Sequence, residues 1–423
     1  GPGCGAEVPL IRSLWLAKKS NRSIALQLVP NPQAKRVDFQ IIIKQPVGWV
    51  DQENPKTEIE KPKFDGTVKR GSATCPCCGY TMPVARVREQ LKAKHGGTND
   101  ARLYCVVTTR SDHQGRTYRV RVEGDLKAAE KAVLKLSELR QAHRGARSLV
   151  PDESTESYHS FVNRGPIYGM TTWESYFTPR QLLALTTLAR LVRNSTERLE
   201  KSSSDGLPLA VQTCLAFVVD KMADKSSSLC RWKASAEYMA GNTFGRQALP
   251  MVWDFCETNV FGNVTGDIAS EVEWIEKMLT HGASSLLVAG HAELASATSQ
   301  SLPNDAAQAF ITDPPYYYSV QYADLSDFFY VWLRRTIGDK YAGLLDADQT
   351  PKEDEIIVQS PGHQFAAEGK NNRFYEDRMK AAMQDSRRVL APSGIGVVVF
   401  AHTSTSAWES QLQAMLEAGW IVT

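Results

Sequence analysis

Asp313, Pro314, Pro315 and Tyr316 follow directly on the apolar run 307–312. Proline cannot continue a strand ladder, so the run is expected to end in a rigid aromatic corner. In open parallel sheets, ligands bind beyond the carboxyl ends of the strands. Two successive prolines hold the backbone still and leave carbonyls with no competing amide donor. A carboxylate beside a fixed carbonyl is a two-acceptor clamp, which suits an exocyclic amino group with its two N–H donors. Holding both protons turns the nitrogen lone pair out of conjugation with its ring, toward an incoming electrophile. In this scheme Asp313 and the Pro314 carbonyl grip the amino group and Pro315 fixes the corner. Tyr316 offers a flat face on which an extruded base can stack, assisted by Tyr317.

A second chemistry-bearing cluster is Cys75-Pro-Cys77-Cys78-Gly79. The Cys-x-x-Cys-Gly spacing is that of a metal knuckle. Eight cysteines in 423 residues do not form a disulfide framework, and the cluster is better placed in a reducing, cytoplasmic setting. Cys105, Cys214, Cys230 and Cys256 lie in apolar or helical runs and read as packed thiols. His281, His291 and His402 have no ligand spacing.

The elements that must position these residues form two groups. In the front part, 39–43 reads as a strand, 44–72 as an exposed loop, and 84–91 as a helix ending near Gly96 and Gly97. The alternating runs 103–109 and 117–123 flank a turn at 112–115 and read as a hairpin. Residues 126–141 have helical spacing. A linker is expected at 145–165, then helices at 179–193, 209–223, 242–259 and 271–280. Thr178 caps the first of these, with Pro179 at its first position. Beyond them, strands at 285–289, 307–312 and 396–401 alternate with helices at 324–335, 373–389 and 408–417. Such alternation predicts a parallel α/β sheet. Trp173, Trp253 and the aromatic run Phe328, Phe329, Tyr330 and Trp332 read as packing residues.

Composition is that of a globular chain, with 42% hydrophobic and 23% charged residues. No apolar run reaches the roughly 18 residues of a membrane span, so no membrane partner is expected. Residues 1–150 carry 27 Lys and Arg against 14 Asp and Glu, and the remainder 22 against 33. A basic front joined to an acidic rear fits a polyanionic partner for the front, or simply a solvated basic surface.

Asp-Pro-Pro-Tyr after an apolar strand resembles the catalytic motif of the amino-methyltransferases, which move a methyl group from S-adenosylmethionine to adenine N6 or cytosine N4. The Asp form is more typical of adenine. The run through Ala297, Thr298, Leu302, Pro303 and Phe310 resembles the methyltransferase segment that touches the cofactor adenine, with Ser296 where an acid is usual. Residues 388–401 resemble the helix, turn and strand that follow in such folds, and Gly419-Trp420 the start of the closing hairpin. More narrowly, CGAEVPLIRSLWLAKK, CPCCGYTMPVARVREQL, FTPRQLLALTTLARLV, SSLCRW, RQALPMVWDF and YADLSDFFYVWLRR resemble one family. It is the large prokaryotic adenine-specific DNA methylases that contain a zinc ribbon.

The resemblance implies a Rossmann-like, S-adenosylmethionine-dependent α/β methyltransferase domain over 151–423, with a partial sheet. It implies a basic α+β insertion containing a zinc ribbon over 1–150, in the place where some DNA methylases hold duplex DNA with a flipped base. Phe177, Thr178, Ser296 and Ala297 would then contact the cofactor, the helix start at Thr178 lying near its carboxylate. Cys4, in the counterpart of the first knuckle, would join Cys75 and Cys78 around a structural zinc, with Cys77 as a substitute ligand. No G-x-G turn follows an apolar strand. In the resembling family that loop and the ribose-holding acid precede the ribbon, so this chain is expected to be an internal fragment whose cofactor binding depends on residues before Gly1. An RNA or protein amino-methyltransferase, and a non-catalytic zinc-ribbon module that binds nucleic acid, stay open as alternatives.

Overall fold

The computed structural model describes residues 4–19, 23–46, 48–110, 112–155, 162–195, 205–235, 240–285, 288–317, 320–359 and 369–423. The chain divides into two units. The first comprises Gly1–Glu156, Asn163–Met278 and Phe328–Asp348, and the second Ser157–Val162, Leu279–Asp327 and Gln349–Thr423. The division therefore does not fall at the expected residue 150. Most of 151–278 packs with the front of the chain.

In the first unit, β1 (Trp15–Ala17), β2 (Ile24–Asn31), β3 (Arg36–Gln45) and β4 (Gly48–Asp51) form an antiparallel sheet in chain order. The β2–β3 register sets Leu26 opposite Ile41. Both lie in a core with Ile11, Leu14, Leu16, Ile24 and Tyr118, where each large apolar side chain contributes about 1.5–3 kcal/mol. The expected 44–72 loop thus contains β4 and also β5 (Val68–Lys69). Its polar composition hid the strands because only one face is covered. β5 pairs with β6 (Ser72–Thr74) and β6 with β7 (Thr81–Met82), and α1 (Val84–Lys92) follows.

The hairpin of β8 (Cys105–Arg110) and β9 (His113–Val120) turns earlier than expected, because Arg110 pairs with His113 and Gly115 lies inside β9. α2 (Glu123–Ala142), α3 (Pro179–Arg193) and α4 (Leu207–Lys225) come next. The expected helix at 242–259 does not form. Pro250 has no N–H to give a helix, and this stretch instead makes isolated bridges Asn163↔Leu249 and Arg231↔Phe255. The Asp224 carboxylate takes the Phe244 N–H and the Asn242 amide.

α5 (Ile268–Ser285) extends past its expected end. It absorbs the start of the strand expected at 285–289; residues 286 and 287 lie outside those described, and 288–289 are irregular.

In the second unit, β10 (Ala307–Thr312) precedes α6 (Tyr322–Thr336), whose residues from Phe328 onward belong to the first unit. α7 (Asn372–Val389) then leads directly into β11 (Leu390–Val398), and α8 (Thr405–Glu417) follows. β10 and β11 are parallel. β11 starts six residues before its expected first residue, and the Ala-Pro-Ser-Gly turn is a bulge within it: Ala307 pairs with Leu390 and Ala309 already with Ile395. Gly396 is obligatory here, since a Cβ at that position would lie 2.1 Å from the Trp420 ring. The Trp420 indole donates to the Met383 carbonyl at 2.9 Å, pinning the chain beyond α8 against α7.

Candidate functional site

β10 ends at Thr312, and Asp313 through Tyr316 leave the sheet at its carboxyl end without regular structure. A cavity of about 600 Å³ opens there, within the usual roughly 300–1,000 Å³ of small-molecule sites. Its walls include Asp313, Pro314 and Pro315 together with Glu293, Ser296, Ala297, Phe310 and Met383. Three catalytic positions and two cofactor positions expected from the sequence thus share one cavity inside one unit.

Asp313 is exposed and Pro314 buried. The Tyr316 hydroxyl donates to Asp313 Oδ1 at 2.5 Å. Among the described residues, Asp313 Oδ2 and the Pro314 carbonyl accept no hydrogen bond. The bond to the Asp313 carboxylate holds the Tyr316 phenol above the ordinary tyrosine range. Burial, then the charges of Asp313 and Glu355, raise the nearby Tyr322 phenol as well. The Tyr316 ring stands edge-on to Phe400, with centroids 5.3 Å apart.

Tyr317 is placed differently from the expected second stacking ring. It is 3% exposed, adopts a left-handed φ of 47°, and packs edge-on against Tyr375 at 4.9 Å. The Val358 N–H donates to its carbonyl. Its ring is core, and Tyr316 is the ring bonded to Asp313.

Ser296 and Ala297 lie on an exposed turn closed by the Ser299 N–H on the Ser296 carbonyl. The Ser296 hydroxyl accepts from the Thr298 N–H at 3.2 Å. Arg388 fastens the chain that follows, donating to the carbonyls of Gln300 and Leu302 and pairing with Asp385 at 2.8 Å. Glu293, which the sequence reading passed over, supplies a carboxylate to the cavity three residues before the serine found where an acid was expected. It accepts from the Ser301 hydroxyl. Its only signal was an acid just upstream of that segment.

Phe177 and Thr178 belong to the first unit. Phe177 is 1% exposed and stacks near Phe328 and Trp332. Thr178 and Gln181 cap one another reciprocally, so the start of α3 satisfies its donors internally. The structure gives these residues packing and capping work.

Cys4, Cys75 and Cys78 come together, their sulfurs all within 4.8 Å of one another. Cys75 and Cys78 sit on the β6–β7 turn, closed by Cys75 N–H to the Tyr80 carbonyl and Gly79 N–H to the Cys75 carbonyl, with Gly79 at φ 73°. Cys4 arrives from 71 residues away, 3.7 Å from Cys75 Sγ. The Ala6 backbone N–H, and then the Cys78 thiol, draw the Cys4 thiol down to about 7. Three soft sulfur donors suit zinc. Among the described residues no fourth His, Cys, Asp or Glu joins them. Cys77 lies outside this group and donates to the Arg36 carbonyl.

Comparison with family models, with curated proteins and with solved structures gives no match. Among the described residues no helix is long and apolar enough to cross a membrane.

Proposed function

We propose that this chain is part of an S-adenosylmethionine-dependent methyltransferase acting on the exocyclic amino group of adenine in DNA, in a reducing, cytoplasmic compartment. The observation that supports it most is the corner at the end of β10. Asp313, with an exposed carboxylate, and Pro314, whose carbonyl has no partner among the described residues, line a cavity sized for a small molecule, beside an aromatic ring. The cavity's volume and its lining of Met379, Met383, Phe310, Glu293 and the exposed 296–297 turn fit a cofactor with a planar base and a cationic sulfonium. When bound, that cofactor would supply an electrophilic methyl group.

The chain's own residues do the rest. Asp313 Oδ2 and the Pro314 carbonyl accept hydrogen bonds from the two amino N–H groups and turn the nitrogen lone pair outward. Tyr316 stacks on the extruded base and, by donating to Oδ1, orients the carboxylate. Glu293, Ser296 and Ala297 hold the cofactor end of the cavity. Cys4, Cys75 and Cys78 would carry a structural zinc, and the basic stretch 1–150 would hold the nucleic acid.

The test is methyl incorporation by the protein in its full length into duplex DNA, structured RNA and peptide, with Asp313→Ala alongside. Label at adenine N6 of DNA, abolished by Asp313→Ala, is the expected result. Label on RNA or peptide instead, no transfer at all, or an Asp313→Ala variant as active as wild type would each overturn the proposal.

A further inference from the structure

We infer that Tyr375 is a positioning residue for the clamp: it fixes which proline carbonyl faces the cavity. The inference rests on the reading of Asp313 and Pro314 as the amino-group clamp. Tyr375 lies in the first turn of α7, 60 residues from the corner, and is 0% exposed. Its hydroxyl donates to the Pro315 carbonyl at 2.8 Å. The Tyr317 N–H reaches the same oxygen at 3.3 Å.

The covalent path between the two proline carbonyls makes this bond consequential. From the Pro314 carbonyl to the Pro315 carbonyl the chain passes a planar peptide bond, then the φ of Pro315, then its ψ. The peptide bond is stiff and the pyrrolidine ring locks φ. Only ψ of Pro315 is soft. Tying the Pro315 oxygen to a buried phenol removes that freedom and sets the Pro314 carbonyl by rigid connection. One carbonyl is thereby satisfied inside the protein, while the other stays unpartnered among the described residues.

The phenol is itself held. Its ring packs edge-on against Tyr317, and Asn371 caps the helix by accepting the Phe374 N–H at 3.0 Å. The Lys370 ammonium, 3% exposed, donates to the carbonyls of Lys352 and Glu355. Burial raises the Tyr375 phenol to about 12, so it remains a donor at every pH at which the protein would work. Tyr375 does not line the cavity. It acts through Pro315 and is not a catalytic residue.

The experiment compares two duplexes, one with a single extrahelical adenine and one with an extrahelical purine that lacks the amino group. Affinities are measured for wild type and Tyr375→Phe, which keeps the ring and its packing. In wild type, adenine is expected to bind about tenfold tighter than purine, the preference being the clamp's contribution. In Tyr375→Phe that preference is expected to fall to about unity, with purine affinity unchanged because stacking on Tyr316 persists. A variant that retains the full preference overturns the inference while leaving the clamp intact, as does one that weakens both duplexes equally. A wild type with no preference at all overturns the clamp reading itself. Thermal unfolding of the variant confirms that the compared proteins are folded.

Discussion

At Asp313 one carboxylate oxygen already has a partner within the corner, and that partner is the ring expected to meet the base. Tyr316→Phe keeps the ring and removes the proton that Oδ1 accepts; Tyr316→Ala removes both. Base affinity is expected to survive the first change and to fall about tenfold or more with the second, as stacking is lost. Asp313→Asn replaces one acceptor of the clamp by a donor and is expected to lower the rate of transfer about 10²–10³-fold, comparable to losing one preorganised group at a reacting centre. The phenol itself reports the contact. Its folded pKa is raised, so the Tyr316–Asp313 bond stabilises the fold below the usual tyrosine range and is lost as pH rises through the raised value. Several phenols, Tyr322 and Tyr375 among them, should ionise late in an ultraviolet titration of wild type, and Asp313→Asn should return one of the late-ionising phenols, Tyr316, toward the ordinary range.

At the scale of elements, the front of the stretch expected to be a loose linker at 145–165 is tied down. The Arg335 guanidinium donates to the carbonyls of Ser148 and Val150, and Glu153 Oε1 accepts from both Arg334 and Arg335 at 2.8 Å. All three charged side chains are at most 6% exposed. Glu153→Ala leaves two arginines buried without that partner and is expected to destabilise the first unit by about 3–5 kcal/mol, measured by urea unfolding. Glu153→Gln, which keeps a hydrogen-bond acceptor, should cost less. This network also shows the limit of sequence reading. α3 and α7 were legible because caps and apolar spacing are local: Thr178-Pro179 opens one and an apolar stripe runs through the other. β10 was legible because an apolar run met two prolines. The Arg335–Val150 contact spans 185 residues, and Tyr375 meets Pro315 across 60; neither leaves a local pattern. The strand β4 and the missing helix at 242–259 failed for the opposite reason, since tertiary pairing there overrode local composition.

For the whole molecule, the uneven charge is the feature with the widest consequence. An excess of 27 basic over 14 acidic residues in 1–150 need not mean that every arginine is available to a polyanion. Arg119 is bound by Asp125 at 2.6 and 2.9 Å, and Asp125 also accepts the Val122 N–H at the start of α2. That pairing lowers the Asp125 carboxyl to about 2, Arg119 being the main cause. It therefore stabilises the fold above the ordinary carboxylate range and fades as pH falls toward 2. Lys69 and Arg70, by contrast, are exposed at the β5–β6 turn. If the basic stretch holds duplex DNA, affinity must fall linearly with salt on a double-logarithmic plot, at about −0.9 per phosphate neutralised. Alanine at Lys69 and Arg70 is expected to make that slope shallower by about one for each side chain that meets a phosphate, whereas alanine at Arg119 should act chiefly through the stability of α2. Cys4 and Cys75 close a 71-residue separation, so removing a bound zinc with a chelator, or substituting Cys75→Ser, should loosen the β6–β7 turn and lower thermal stability. An unchanged salt slope in the Lys69 and Arg70 variants would show that the positive charge is only a solvated surface.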